Sequence, residues 1–278
     1  MIVLNDIITS RSNPRVKWAA SLTTKKGRDD ARSFIAEGEK LSFEAMEGGL
    51  PVSHVFICED KRDRLLPKVA RLLAGEEYRD TEVVILSESA FLKISTEKAP
   101  QGIITVIKYL DFFREMDIIY KEEFFSRAYE RVILLSSVRD PGNLGAVIRS
   151  AVAFGVDHVI LTADSADLYN PKTVRSAMGS LFRVKATVVS DFTSVIRALQ
   201  DSGRRVFAAE LSECAVSVSE ARLRSTDAVI IGNEGHGIPT DISSVCDGSV
   251  YIPISHKTES LNASVAAAVF MWEMGKTV

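Results

Sequence analysis

The sequence predicts an α/β protein in two blocks: a smaller α/β layer over residues 1–110, a linker over 111–130, and a parallel-sheet domain over 131–278. Three observations lead there. Short β-rich apolar runs alternate with helical patterns through the first block. Near-continuous apolar runs such as Val132-Ile133-Leu134-Leu135 open the second, as expected of strands covered on both faces. Between the blocks, DFFREMDIIYKEEFFSRAYE lacks clean strand signals and is densely charged.

Within the first block, Ser33 to Ala36 reads as a strand and Glu39 to Glu47 as a helix ended by Gly48-Gly49. His54 to Ile57 is a second strand, followed by a helix over 62–74 with Pro67 inside its pattern. Glu82 to Leu86 and Gly102 to Tyr109 complete the set. Within the second block, a strand over 131–138 leads to a loop, Asp140-Pro141-Gly142-Asn143-Leu144-Gly145, then a helix from Ala146 to Phe154 capped by Gly155. His158 to Leu161 is the next strand, with further strands over 183–189, 205–210, 227–231 and 250–254. Helices fit 172–181, 192–201 and 262–274.

The composition is that of an ordinary folded chain: 278 residues, 46% hydrophobic, 26% charged. No apolar run approaches the roughly 20 residues of a membrane helix. The opening MIVLNDIITSRS has no basic n-region and no long apolar h-region, against a signal peptide. Cys58, Cys214 and Cys246 are odd in number and form no CxxC, which suggests neither disulfides nor a zinc site and fits the cytoplasm. The net charge of −3 weighs against nucleic acid, but phosphate contacts are local. Residues 9–32 hold seven basic residues (Arg11, Arg15, Lys17, Lys25, Lys26, Arg28 and Arg32) against two Asp. That segment is either a solvated helix face or an RNA-facing patch. Trp18, Phe112 and Phe113 are open to packing or to stacking on RNA bases.

In an open α/β sheet, ligands bind beyond the carboxyl ends of the strands. Three loops occupy such positions: Asp140 to Gly145, Gly232-Asn233-Glu234-Gly235-His236-Gly237, and Pro253 to Asn262. The glycine order of the second is GxxGxG and it does not open the first βα unit, which excludes the dinucleotide fingerprint. No GxxxxGK[ST] is present, so a P-loop is excluded too. Ser260 and Asn262 stand at the start of the last helix, as a cap or as an anion site. His236 and His256 are read as ordinary loop residues.

The three segments together resemble the motifs of the SpoU (TrmH) branch of the SPOUT methyltransferases. The first is Asp140-Pro141-x-Asn143-x-Gly145-x-x-x-Arg149-x-Ala151-x-Ala153-Phe154-Gly155. The second is Ile231-Gly232-Asn233-Glu234-Gly235-x-Gly237-Ile238. The third is Ile252-Pro253-Ile254 followed by Ser260-Leu261-Asn262-x-Ser264-x-Ala266, with Ile254 where the family often has Met and a more polar stretch over Ser255 to Glu259. Ser12-x-Pro14-x-Val16-Lys17 and Phe34-x-x-Glu37-Gly38-x-Lys40 are similar to the substrate-binding domain attached to many members, which resembles a ribosomal RNA-binding protein.

The resemblance implies a deep trefoil knot in the C-terminal domain, S-adenosyl-L-methionine as cofactor, a homodimer with a site completed by both protomers, and no metal. It implies a ribose 2′-O-methyltransferase acting on RNA, ribosomal RNA ahead of transfer RNA. A transfer-RNA enzyme, a base methyltransferase and a catalytically silent RNA-binding protein of the same fold are the alternatives. Cofactor contacts carried over fall on Gly232, Ile252 and Leu261, with Ala209 near the adenosine. Arg149, Asn143 and Glu234 take the catalytic roles; Ser260, Asn262, Arg11, Arg15 and Lys17 are the substrate-binding candidates. A guanidinium stays protonated, so Arg149 is read as a phosphate-holding fork and not as a base. Asn143 is expected to bond the ribose or orient Arg149, and Glu234 to act as base or to orient Arg149.

Overall fold

A computed structural model describes residues 1–110 and 130–276. The predicted linker, apart from Glu130, and with it Phe112 and Phe113, lies outside the described residues.

In chain order, β1 (Ile2–Ile8), α1 (Pro14–Ser21), α2 (Lys25–Ala31), β2 (Ser33–Glu37) and α3 (Glu39–Glu47) open the fold. Then come β3 (Val52–Cys58), α4 (Arg62–Leu72), β4 (Glu82–Leu86), α5 (Glu88–Ile94) and β5 (Ile103–Lys108). The second part runs β6 (Val132–Leu135), α6 (Pro141–Ala153), β7 (His158–Thr162), α7 (Pro171–Ser176), β8 (Lys185–Val189) and α8 (Phe192–Asp201). It closes with β9 (Val206–Ala209), β10 (Val216–Ser217), β11 (Ala228–Ile231), α9 (Thr240–Ser243), β12 (Gly248–Tyr251) and α10 (Ala263–Lys276).

Contacts divide the chain into two compact units, Met1–Leu110 with Asp167–Phe182, and Asp111–Ala166 with Arg183–Val278. The first unit is a five-stranded sheet in the order β1-β4-β3-β5-β2, parallel over β1, β4 and β3 and antiparallel where β5 pairs with β3 and β2. Val16, Phe56, Val84, Phe91 and Ile104 join its core. The strand β1 carries no alternating pattern and its Ile2 and Ile7 are exposed, as an edge strand allows. Helix α1 starts where Asn13 accepts from the Arg15 N–H at 2.9 Å, with Pro14 at the first helical position.

Of the seven basic residues over 9–32, six are exposed. Arg28 is the exception: it is 1% exposed, donates to the Leu22 carbonyl at 2.9 Å and pairs with Asp167 at 2.5 Å. It belongs to the frame and not to a surface patch. Arg15 is partly engaged, donating to Glu82 at 2.9 Å.

The second unit is a seven-stranded sheet in the order β10-β12-β9-β11-β6-β7-β8, parallel throughout. Strands β6 and β11 are buried along their whole length, the signature of a sheet covered on both faces. The carboxyl ends of β6, β9, β11 and β12 lie together because these strands are neighbours.

Candidate active site

The expected loop over 140–145 is in fact the start of α6. Asp140 is its cap, its carboxylate accepting from the Asn143 N–H at 2.9 Å, and Pro141 takes the first helical position. A helix begun there fixes Asn143 on the first turn and carries Arg149 further along, exposed to solvent.

Asn143 joins the three segments. Its Nδ2 donates to Glu234 Oε1 at 2.6 Å, and its Oδ1 accepts from Asn262 Nδ2 at 2.9 Å. The directions follow from chemistry. Asn262 caps α10, its Oδ1 accepting from the Ser264 N–H at 2.9 Å, and a backbone N–H can only donate. Asn262 therefore turns its amide nitrogen to Asn143, which must answer with oxygen. The Asn143 nitrogen then faces Glu234, whose carboxylate only accepts. One backbone N–H thus orients the whole chain of side chains. Arg149 has no hydrogen bond or ion pair among the described residues, so Glu234 is partnered by Asn143 and not by Arg149.

The Gly232–Gly237 loop is organised by Asn233, which sequence reasoning passed over. Its backbone exchanges both hydrogen bonds with Gly237 at 3.0 Å. Its Oδ1 accepts from the N–H of Gly235 at 2.9 Å and of His236 at 3.1 Å, and its Nδ2 donates to the Ser137 carbonyl at 2.8 Å. Gly237 has φ +67°, and a Cβ on Gly232 would lie 2.6 Å from the Gly237 carbonyl carbon. Only glycine fits at Gly232.

Beneath this loop opens a cavity of about 300 Å³. Gly232, Ile252, Leu261 and Ala209 all line it, as do Glu234 and Ser260. Glu210, Tyr251 and Phe270 line it as well and carried no sequence signal. Strand β12 ends at Tyr251, so Ile252 to Ile254 are loop and not the strand end expected. Arg149 and Asn143 do not line the cavity.

The model of the SpoU rRNA methylase family matches residues 130–272, over half of the chain. This chain belongs to the SpoU rRNA methylase family. An MRM3-like substrate-binding domain matches residues 13–105. The 23S rRNA (guanosine(2553)-2′-O)-methyltransferase RlmP of Bacillus subtilis is 32% identical across 96% of this chain and 98% of its own length. The 23S rRNA (uridine(2479)-2′-O)-methyltransferase of Streptomyces viridochromogenes is 29% identical across 96% of this chain and 90% of its own. Among solved structures, the AdoMet-bound rRNA methyltransferase of Sinorhizobium meliloti superposes with a TM-score of 0.83 at 28% identity, covering 99% and 98% of the two chains.

In this SpoU-family chain a second polar cluster stands behind the Asn233 loop. Ser137, at φ 55°, donates its hydroxyl to Asp164 at 2.8 Å, and Arg139 donates to the same oxygen at 2.8 Å. Together with Thr162 they hold the Asp164 carboxyl down at about 2. The cluster fixes the Ser137 carbonyl that Asn233 reads. His236 and His256 are both exposed, and His236 Nδ1 contacts Asn233 at 3.2 Å. Arg11, Arg15 and Lys17 are exposed in the first unit.

Proposed function

We propose that this chain transfers a methyl group from S-adenosylmethionine to a ribose 2′-hydroxyl of RNA, ribosomal RNA in particular, and works as a homodimer in the cytosol. The observation that carries the reading is the Asn262–Asn143–Glu234 chain beside the cavity lined by Gly232, Ile252 and Leu261. In this reading residues 1–110 bind the RNA substrate, 111–130 link, and 131–278 hold the reaction.

The cavity suits the cofactor. Its volume is at the lower end of small-ligand sites, and its walls mix apolar side chains with strand-end backbone. The missing side chain at Gly232 leaves backbone open to a close approach, and Ile252, Leu261 and Ala209 offer an apolar wall to an adenine ring. When bound, S-adenosylmethionine supplies an electrophilic methyl carbon on a sulfonium whose departure leaves a neutral thioether.

The chain's own residues must then orient the ribose oxygen and take its proton. Asn143 has one amide hydrogen left after serving Glu234, and it holds the ribose oxygen. Glu234 has a second carboxylate oxygen to accept the hydroxyl proton. Arg149 stays charged, holds a backbone phosphate in its planar fork, and stabilises negative charge developing on the ribose oxygen. Ser260 and Asn262 contact the nucleotide being modified, while Arg11, Arg15 and Lys17 hold phosphates elsewhere on the RNA.

Homodimer formation is supported by two features. Arg149 is exposed and has no partner among the described residues, as an arginine meant for a partner's site would be. Val265 and Trp272, seven residues apart on one stripe of α10, are 49% and 54% exposed.

Labelled S-adenosylmethionine and ribosomal RNA test the reading. A 2′-O-methylated nucleoside in the digested RNA is expected. Folded protein that binds the cofactor yet leaves no such nucleoside in ribosomal RNA or transfer RNA overturns it.

A further inference from the structure

The first unit has a cavity of its own, of about 350 Å³, where α1 meets α2. Trp18 comes from α1; Thr24, Lys26, Gly27 and Asp30 come from the cap and body of α2. The two helices meet closely, since a Cβ on Gly27 would lie 2.1 Å from the Ser21 carbonyl oxygen.

Its polar groups divide into used and unused. Ser21 spends its hydroxyl on the Trp18 carbonyl at 2.6 Å, and Thr24 donates to the Ser21 carbonyl at 2.9 Å. Lys26 and Asp30 are exposed and have no partner among the described residues. Trp18 is half-buried, its ring centroid 4.6 Å from that of His54. The open chemistry is thus an aromatic wall, one ammonium and one carboxylate. Arg11, Lys17 and Lys25 are exposed on the same stretch of chain.

We infer that this cavity binds an unstacked guanine of single-stranded RNA. The base stacks on Trp18, the Asp30 carboxylate accepts from its N1–H and N2–H, and Lys26 meets an adjacent phosphate. Stacking on an aromatic side chain is the usual way a splayed-out base is held, and it works for any base. Asp30 selects among them. A carboxylate only accepts, and guanine alone offers two neighbouring N–H donors on one edge. Adenine and cytosine set a ring acceptor beside their amino group, and that acceptor would oppose the second carboxylate oxygen. A carboxylate repels phosphate, so its place in a basic stretch fits reading a base edge and not gripping the backbone.

This inference rests on the RNA reading above but concerns recognition, not methyl transfer. The chain has two tryptophans, Trp18 and Trp272, so full-length Trp272→Phe reports Trp18 alone by fluorescence. The probes are two single-stranded hexaribonucleotides of uridine, one carrying a single guanosine and the other a single adenosine. The guanosine strand is expected to quench Trp18 and to bind about tenfold more tightly, as a two-bond edge contact allows. Asp30→Asn is expected to erase that preference. Lys26→Gln is expected to weaken both strands alike and to lower the salt dependence by about one phosphate. Both positions are exposed, so both variants keep the fold. Absence of quenching, or equal affinities that Asp30→Asn leaves unchanged, overturns the inference. Methylation is read on the chain with Trp272 in place; if that chain methylates ribosomal RNA although the guanine site fails, the methyltransferase reading stands. Quenching without methylation instead overturns that reading and leaves the guanine site.

Discussion

The two sheets use the same residue types to opposite ends. Away from the α1–α2 cavity, several polar side chains of the first unit close on one another. Glu37 binds Ser95 and both the hydroxyl and the N–H of Thr96, the latter two at 2.8 Å. Glu39 takes both arms of Arg64, at 2.9 and 2.8 Å. Arg28 is sealed in against Asp167. In the second unit, polar groups collect at the carboxyl edge of a fully parallel sheet, and some remain open among the described residues: Arg149 has no partner there, and the Asn143–Glu234 pair leaves one hydrogen and one oxygen spare. Arg28 is buried and paired with Asp167, whereas Arg149 is exposed with no partner among the described residues, so of the two only Arg149 is open to a ligand.

Four changes break or sharpen that contrast. The largest is Asp167→Ala, which leaves the Arg28 charge buried without its partner and is expected to cost about 3–5 kcal/mol of stability. Urea unfolding measures it, and cofactor affinity should hold. Arg149→Ala is the mirror image. Turnover is expected to fall about 100- to 1,000-fold, the range seen when a group stabilising the developing charge is removed. Stability should move by less than about 0.5 kcal/mol, as for an exposed position.

The third change is in pH. His158 is buried on β7 beside Thr187 at 2.8 Å, and burial, aided by Lys185, lowers its pKa to about 3. The unfolded chain then takes up a proton near 6.5 that the folded chain refuses. Stability is flat above that value and falls toward pH 3, by at most about 1.4 kcal/mol per pH unit. His158→Gln should remove one proton from the slope of unfolding free energy against pH. The smallest effect is Asn262→Asp, which keeps the cap on α10 but cannot donate to Asn143. Stability should be unchanged and turnover reduced by up to about tenfold, the worth of one hydrogen bond.

Most elements were legible because their causes are local. Apolar runs marked β6, β7 and β11, and Gly48 marked the end of α3. Strand β1 escaped because IVLNDII has no clean period and its partner, β4, lies some eighty residues away. The start of α6 was placed too late because Gly142 and Gly145 read as loop, whereas the Asp140 cap and Pro141 begin a helix that both glycines join. The role of Asn233 was invisible because a loop asparagine carries no mark of the four bonds its side chain makes.

The sequence by itself determined the kinds of groups present and their order: Asn143 and Arg149 in one segment, Glu234 in the next, Ser260 and Asn262 in the last. Those follow from local patterns that any chain with these residues would show. Only the tertiary structure decided that Asn143 reaches Glu234 across 91 residues and Asn262 across 119, while Arg149 reaches neither. It also decided that Arg28 is buried while its basic neighbours face solvent. The physical reason is the same in both cases. The partners stand far apart in the sequence, Arg28 and Asp167 by 139 residues, and such long-range pairing leaves no periodic signal in the residues it joins.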